Sequence, residues 1–157
     1  MEHADAGALL IVEDSDDDYA LARWALRRAG YGRPIRRAIR VAEALALLAP
    51  DGPGAASGAP PFAVVLLDLD LPDGTGLDLL SALRADCGGV LPLPIVILTT
   101  SNNPRDIAGF YRLGIAGYLV KPLERGRFAD QIRAFVDYWF DAVTLPPLDH
   151  ARAPGRG

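Results

Sequence analysis

The sequence predicts an α/β fold in which five βα units build a parallel sheet covered by helices on both faces. Three observations carry this reading. The apolar residues come in short unbroken runs, amphipathic segments separate the runs, and four of the runs end on a chemically reactive side chain. Unbroken runs are expected of strands buried on both faces, because a parallel sheet between two helical layers has no solvent side toward which to alternate.

The elements follow in order. Leu9-Leu10-Ile11-Val12 is the first run and stops at Glu13 and Asp14. Asp16, Asp17 and Asp18 then offer capping acids for a helix with Ala20, Leu21, Trp24 and Ala25 on its apolar face, and Gly30 is its stop. Pro34 to Arg40 holds a weaker strand, and Arg36, Arg37 and Arg40 place it at the sheet edge. Val41 to Leu48 is a short Ala/Leu helix. Val64-Val65-Leu66-Leu67 ends at Asp68, and a helix from Leu77 to Arg84 follows, with Leu80 and Leu83 on one side. Ile95-Val96-Ile97-Leu98 ends at Thr99. Ile107, Phe110, Tyr111 and Gly114 recur at i, i+3, i+4 and i+7, a helical stripe. Gly117-Tyr118-Leu119-Val120 ends at Lys121, and Arg125 to Phe140 forms the last and longest helix. Asp51 to Pro61, rich in Gly, Pro, Ala and Ser, reads as a surface loop inside the domain. The organisation is thus one domain over 1–143 and a C-terminal extension over 144–157, disordered toward its end.

Composition narrows the function. A chain of 157 residues, half of them hydrophobic, suits one domain with a real core. A net charge of −4 without a Lys/Arg cluster argues against nucleic acid as a partner. The single cysteine, Cys87, rules out an internal disulfide and a CxxC zinc site, and it suits a reducing cytoplasm. The acidic start is unlike a secretory signal, and no apolar run approaches the roughly 20 residues that span a bilayer. A soluble, cytoplasmic protein with no membrane partner is expected. His3 and His150 lie near the termini and receive no ligand role.

The polar residues point to the chemistry. In an open α/β sheet the carboxyl ends of the strands line the ligand crevice. Glu13, Asp14, Asp68, Thr99 and Lys121, far apart in sequence, should converge there. Three carboxylates repel one another, and a hard dication such as Mg²⁺, which prefers oxygen ligands, resolves the conflict. Lys121 supplies a point charge for a phosphoryl oxygen or for the acceptor carboxylate, and Thr99 supplies a hydroxyl donor. This set suits in-line phosphoryl transfer, in which positioning and charge neutralisation do most of the catalysis. A carboxylate can itself be the nucleophile and form an acyl phosphate. Singly, each piece has a plainer meaning: a solvated acidic loop, a turn aspartate, a loop Lys-Pro. Four strand ends carrying the set in order favour a site.

Leu9-Leu10-Ile11-Val12-Glu13-Asp14, Val65 to Gly76, Ile97-Leu98-Thr99-Thr100-Ser101 and Gly117-Tyr118-Leu119-Val120-Lys121-Pro122 resemble the response-regulator receiver domain over about residues 8 to 143. The resemblance implies a flavodoxin-like (βα)5 doubly wound sheet of strand order 2-1-3-4-5. It implies that Asp68 is the phosphoacceptor for a histidine kinase. Asp14, Asp68 and the backbone carbonyl of Asp70 would hold Mg²⁺, and Glu13 would act through water. Thr99 and Lys121 would hold phosphoryl oxygens, Tyr118 would be the switch aromatic, and the bond before Pro122 would be cis. Two positions depart from the common pattern: Asp70, where many relatives carry Asn, and Ser101, which is often larger or charged. Both face the attacking water in the family, so no dephosphorylation rate is assigned.

A narrower resemblance lies in Thr99-Thr100-Ser101 and in the stretch from Phe135 to Pro146, which are similar to single-domain regulators of phytochrome-type histidine kinases. It implies a light-sensing kinase as phosphodonor. No effector domain is expected after Val143, so output would run through protein contacts or through relay to a histidine-phosphotransfer protein. On the last helix, Phe128, Ile132, Phe135 and Trp139 make one apolar stripe, and Val136, Phe140 and Val143 make a second beside it. That excess predicts a homodimer through this helix. Two rival readings compete with this one. A haloacid-dehalogenase-like phosphatase also uses an Asp-x-Asp pair, but there the metal-binding acids follow the lysine, whereas here they precede the nucleophile. A phosphorylation-independent interaction module should lack a site residue, and none is missing. A signalling protein, not an enzyme, is the expectation.

Overall fold

The computed structural model describes residues 7–49 and 62–145. The loop expected at Asp51 to Pro61, and the extension beyond Leu145, lie outside the described residues.

Five strands form one sheet: β1 (Ala8–Val12), β2 (Ile35–Ala38), β3 (Phe62–Leu67), β4 (Ile95–Thr99) and β5 (Gly117–Val120). Every neighbouring pair is parallel, in the order β2-β1-β3-β4-β5, the order implied by the resemblance. Helices α1 (Asp16–Arg28), α2 (Val41–Leu48), α3 (Gly76–Asp86), α4 (Pro104–Arg112) and α5 (Arg125–Val136) follow the strands in turn. The two-residue period of the strands splits the core into two layers. Leu9, Ile11, Val64, Leu66, Val96 and Leu98 pack with Ala22, Leu26, Phe128 and Ile132 of α1 and α5. Leu10, Val12, Val65, Leu67, Ile95 and Ile97 pack with Ala44, Leu79, Leu80 and Leu83 of α2 and α3. Burial of each such side chain stabilises the fold by roughly 1.5–3 kcal/mol, so both faces of the central strands work equally. That is why their sequences show no alternation.

Between Asp68 and α3 the chain makes a small antiparallel hairpin, Asp70–Leu71 with Gly74–Thr75, which the sequence reading did not anticipate. Thr75 then caps α3 in a reciprocal box with Asp78.

Several expectations need correction. The cap of α1 is Ser15, whose hydroxyl accepts from the Asp18 N–H, while Asp16, Asp17 and Asp18 occupy the first turn, where the helix dipole favours acids. α4 stops at Arg112, Tyr111 is 49% exposed, and Gly114 lies beyond the helix at φ 94°, a left-handed position that favours glycine. The Lys121–Pro122 bond is trans, as no cis bond occurs among the described residues. The tertiary amide before proline still prefers trans by about 0.5–1 kcal/mol, and the sequence offered no stronger preference.

The last helix also differs. Its α-helical part ends at Val136, and Asp137–Ala142 continues as a wider π-turn closed by Val143 N–H donating to Tyr138 O at 2.9 Å. The turn seats Phe140 edge-on against Tyr31, with ring centroids 4.9 Å apart, and near Phe135 at 6.2 Å. Arg33 lies over the Phe140 ring and donates to its carbonyl at 3.2 Å. Val136 is 4% exposed and Val143 is half-buried. Val136, expected at a dimer interface, is therefore covered inside its own domain, while Phe140 and Val143, expected there too, are half-buried. Among the described residues no helix is long and apolar enough to cross a membrane.

Candidate functional site

The sheet brings the reactive residues to one edge. Glu13 follows β1 and its N–H donates to Ala38 O at 2.9 Å; Asp68 follows β3 and its N–H donates to Val12 O at 2.9 Å. Lys121 follows β5 and its N–H donates to Thr99 O at 2.7 Å. Each functional backbone is thus tied to the neighbouring strand before its side chain acts.

Glu13, Asp14 and Asp68 each present a carboxylate oxygen, all within 4.8 Å of one another. Glu13 is buried at 5% exposure, Asp68 is half-buried and Asp14 is exposed. Lys121 Nζ lies 3.2 Å from Glu13 Oε1 and 3.7 Å from Asp18 Oδ2. The other Glu13 oxygen, Oε2, is buried without a hydrogen-bond partner. Burial, then the neighbouring Asp68 carboxyl, push the Glu13 carboxyl up to about 8 against the opposing pull of Lys121. One lysine thus faces three crowded carboxylates. An all-oxygen donor set, an orphaned buried oxygen and a carboxyl raised by burial beside a second acid all fit a hard divalent cation.

The remaining predicted residues take different places. Thr99 is buried at 5% exposure at the tip of β4, and its hydroxyl lies 3.4 Å from the Ser101 N–H. Tyr118, on β5, is half-buried; its hydroxyl donates to Ser101 O at 3.0 Å, and its ring lies 6.2 Å from Phe110. Tyr118 therefore touches the segment that follows Thr99. Asp70 opens the hairpin with an exposed side chain, outside the three-carboxylate cluster.

Sequence reasoning missed two contributors here. Asp18, read as a helix cap, instead shares Lys121. Gly76 lets α3 start hard against the Asp68–Leu69 segment: a Cβ there would come within 2.9 Å of Leu69 Cδ2 and 3.3 Å of Asp68 O. The glycine eight residues after Asp68 was the available signal.

The model of the response regulator receiver domain matches residues 9–133, and the chain belongs to that family. Among its relatives is the response regulator Rcp1 of Synechocystis, 29% identical over 139 residues, which cover 88% of this chain and 92% of Rcp1. The structure of the Mn²⁺-bound form of Rcp1 is similar with a TM-score of 0.74 at 28% identity, over 89% of this chain and 99% of that one. The phosphorylated cyanobacterial phytochrome response regulator RcpA is similar with a TM-score of 0.76 at 28% identity, over 89% and 98% of the two chains. RPA3017, a response regulator in red light signalling of R. palustris, is similar with a TM-score of 0.80 at 29% identity, again over 89% and 98%. The chain is thus a receiver domain similar to regulators of phytochrome signalling.

Proposed function

We propose that this receiver is a phosphorylation switch that takes a phosphoryl group on Asp68 from the phosphohistidine of a histidine kinase. The convergence of Glu13, Asp14 and Asp68 beside Lys121 carries the reading. An Asp68 carboxylate oxygen attacks the phosphorus in line; the new O–P bond forms as the P–N bond breaks, and the imidazole leaves with a proton. Asp14, Asp68 and the backbone carbonyl of Asp70 would hold Mg²⁺, with Glu13 acting through water. The metal supplies neutralisation of the charge that builds on the phosphoryl oxygens.

The chain's own residues do the rest. Lys121 turns from Glu13 to a phosphoryl oxygen, and the Thr99 hydroxyl donates to another. Tyr118 gives up its bond to Ser101 O and fills the space that Thr99 leaves. The surface around α4, β5 and α5 then changes, and the phosphoryl group shifts that equilibrium only through its different contacts in the two states. Output is by protein contact or relay to a histidine-phosphotransfer protein, in the cytoplasm and without turnover of a substrate. A phytochrome-type kinase is the donor we favour, on the Thr99-Thr100-Ser101 pattern and the likeness to RcpA and RPA3017.

The direct test is intact mass after incubation with acetyl phosphate and Mg²⁺, for wild type, Asp68→Asn and a chelator control. One added phosphoryl group in wild type alone, and only with metal, is the expected result. Equal labelling of Asp68→Asn would overturn the assignment of the acceptor. Transfer from a purified phytochrome kinase, faster in one light state than the other, tests the donor; indifference to light would remove it.

A further inference from the structure

We infer that Arg37 is a positioning residue for the metal site: its guanidinium holds the Glu13–Asp14 turn by the backbone, leaving both carboxylates for the cation. The inference rests on the metal-binding reading above and adds a residue to it.

Arg37 lies on β2, where its sequence position suggested only an exposed edge charge. Its neighbours Arg36 and Arg40 are exposed. The Arg37 side chain is 21% exposed, and every polar end of it points into the turn between β1 and α1. Nε donates to Glu13 O at 3.0 Å, Nη2 donates to Asp14 O at 3.3 Å, and Nη1 donates to Asp16 Oδ1 at 2.7 Å. The guanidinium also lies 4.4 Å from the centroid of the Tyr19 ring, one turn into α1.

The choice of acceptors is what matters. An arginine paired with the Glu13 or Asp14 carboxylate would compete with a cation for the same oxygens. Bonds to the two carbonyls restrain the turn and leave those oxygens alone. Glu13 is then held at both backbone groups by β2, through its N–H to Ala38 O and its carbonyl to Arg37. Crowding of three acids within 4.8 Å works to open this turn, and the fork opposes it. A planar guanidinium can serve two carbonyls at once, whereas a lysine ammonium is a single point charge. Outer-shell groups of this kind orient metal ligands without touching the metal.

The test is Mn²⁺ affinity of the full chain, measured by calorimetry or by the EPR signal of free Mn²⁺, with melting curves of each metal-free variant as the control for folding. Arg37→Ala and Arg37→Lys should each weaken Mn²⁺ binding on the order of 10-fold, the lower range seen for outer-shell partners. Phosphoryl uptake from acetyl phosphate should recover to the wild-type rate at saturating metal, because only the metal step is impaired. Asp16→Asn should stay within about two-fold of wild type, since an ion pair to an exposed carboxylate contributes little.

Wild-type affinity in Arg37→Ala would overturn the inference. Wild-type affinity in folded Arg37→Lys would reduce the effect to charge and overturn the fork. A loss in Asp16→Asn as large as in Arg37→Ala would move the role to that ion pair. Absence of Mn²⁺ binding by the wild type would instead sink the metal-site reading itself, a result distinguishable from the other three.

Discussion

The strand-tip site and the C-terminal closure are built on opposite terms. At the tips, acids are crowded: three carboxyl groups lie within 4.8 Å of one another beside one lysine, and a buried Glu13 oxygen has no partner. At the closure the groups are matched: Val136 is buried, the Phe140 ring rests on Tyr31 and Phe135, and its carbonyl accepts from Arg33. The first region keeps unfavourable contacts that a ligand can relieve, and the second relieves its own. Substitutions in the two places should therefore act in opposite directions. At the tips, removing a charge should stabilise the metal-free chain and abolish function. At the closure, removing a side chain should destabilise the chain and leave its chemistry intact.

The largest effect is expected at Asp68. Asp68→Asn should lose all phosphoryl uptake in the mass assay. Without metal it should also melt higher than wild type by roughly 2–4 °C, the shift that about 1 kcal/mol gives a domain of this size. Addition of Mg²⁺ should raise the melting temperature of wild type more than that of the variant, because the wild type has more charge to neutralise. Calorimetric scans with and without metal check this. A metal-free Asp68→Asn that melts below wild type would show that the crowded carboxylates carry no strain, and the contrast between the two regions would lose its basis.

Phe140→Ala tests the other side. Removing a half-buried aromatic that touches two rings should cost about 2 kcal/mol, below the 3–5 kcal/mol of a fully buried phenylalanine. The melting temperature should fall by roughly 4–8 °C, while phosphoryl uptake stays at the wild-type rate. Sedimentation should give the same mass for the variant and for wild type, since the ring packs on Tyr31 and Phe135 of its own copy. A halved mass would restore the last helix as an interface between copies.

How much was legible in the sequence follows the same division. The βα order and three of the four strand runs could be read because burial on both faces leaves a continuous apolar signature, as in Leu9 to Val12 and Ile95 to Leu98; Gly117 to Val120, at the sheet edge, is half-buried throughout. The convergence of Glu13, Asp14, Asp68 and Lys121 could be read because parallel strands place their ends on one edge. Contacts between distant segments could not. The carbonyl of Phe140 is met by Arg33, 107 residues earlier, so counting apolar positions on one helix cannot tell a self-covered strip from a docking surface. Arg37 looked like an edge charge because two of its three hydrogen-bond partners are carbonyls, and every residue has one. The hairpin from Asp70 to Thr75 has two residues in each strand, too short for any periodicity to show.

Asp73 stands between the two regions and sets the smallest effect. It sits in that hairpin, five residues past Asp68, yet its contacts are matched like those of the closure. Its carboxylate accepts from Val41 N–H at 2.7 Å and Ala42 N–H at 3.1 Å, capping α2 from outside, while Arg40 at the N-cap position provides no side-chain bond. The Ala42 and Val41 N–H bonds hold the Asp73 carboxyl below its ordinary value of 3.8. A carboxyl lowered in the folded state binds its proton more readily when unfolded, so its contribution is fully present above pH 3.8 and fades as pH falls through the folded value. Asp73→Asn keeps one acceptor oxygen and loses the charge, so it should lower the melting temperature slightly at pH 7. The difference from wild type should shrink as the pH is taken below 3.8, where the wild-type carboxyl also becomes neutral. A difference that stays constant down to pH 2 would mean that charge plays no part in the cap, and that the acceptor hairpin is joined to α2 by shape alone.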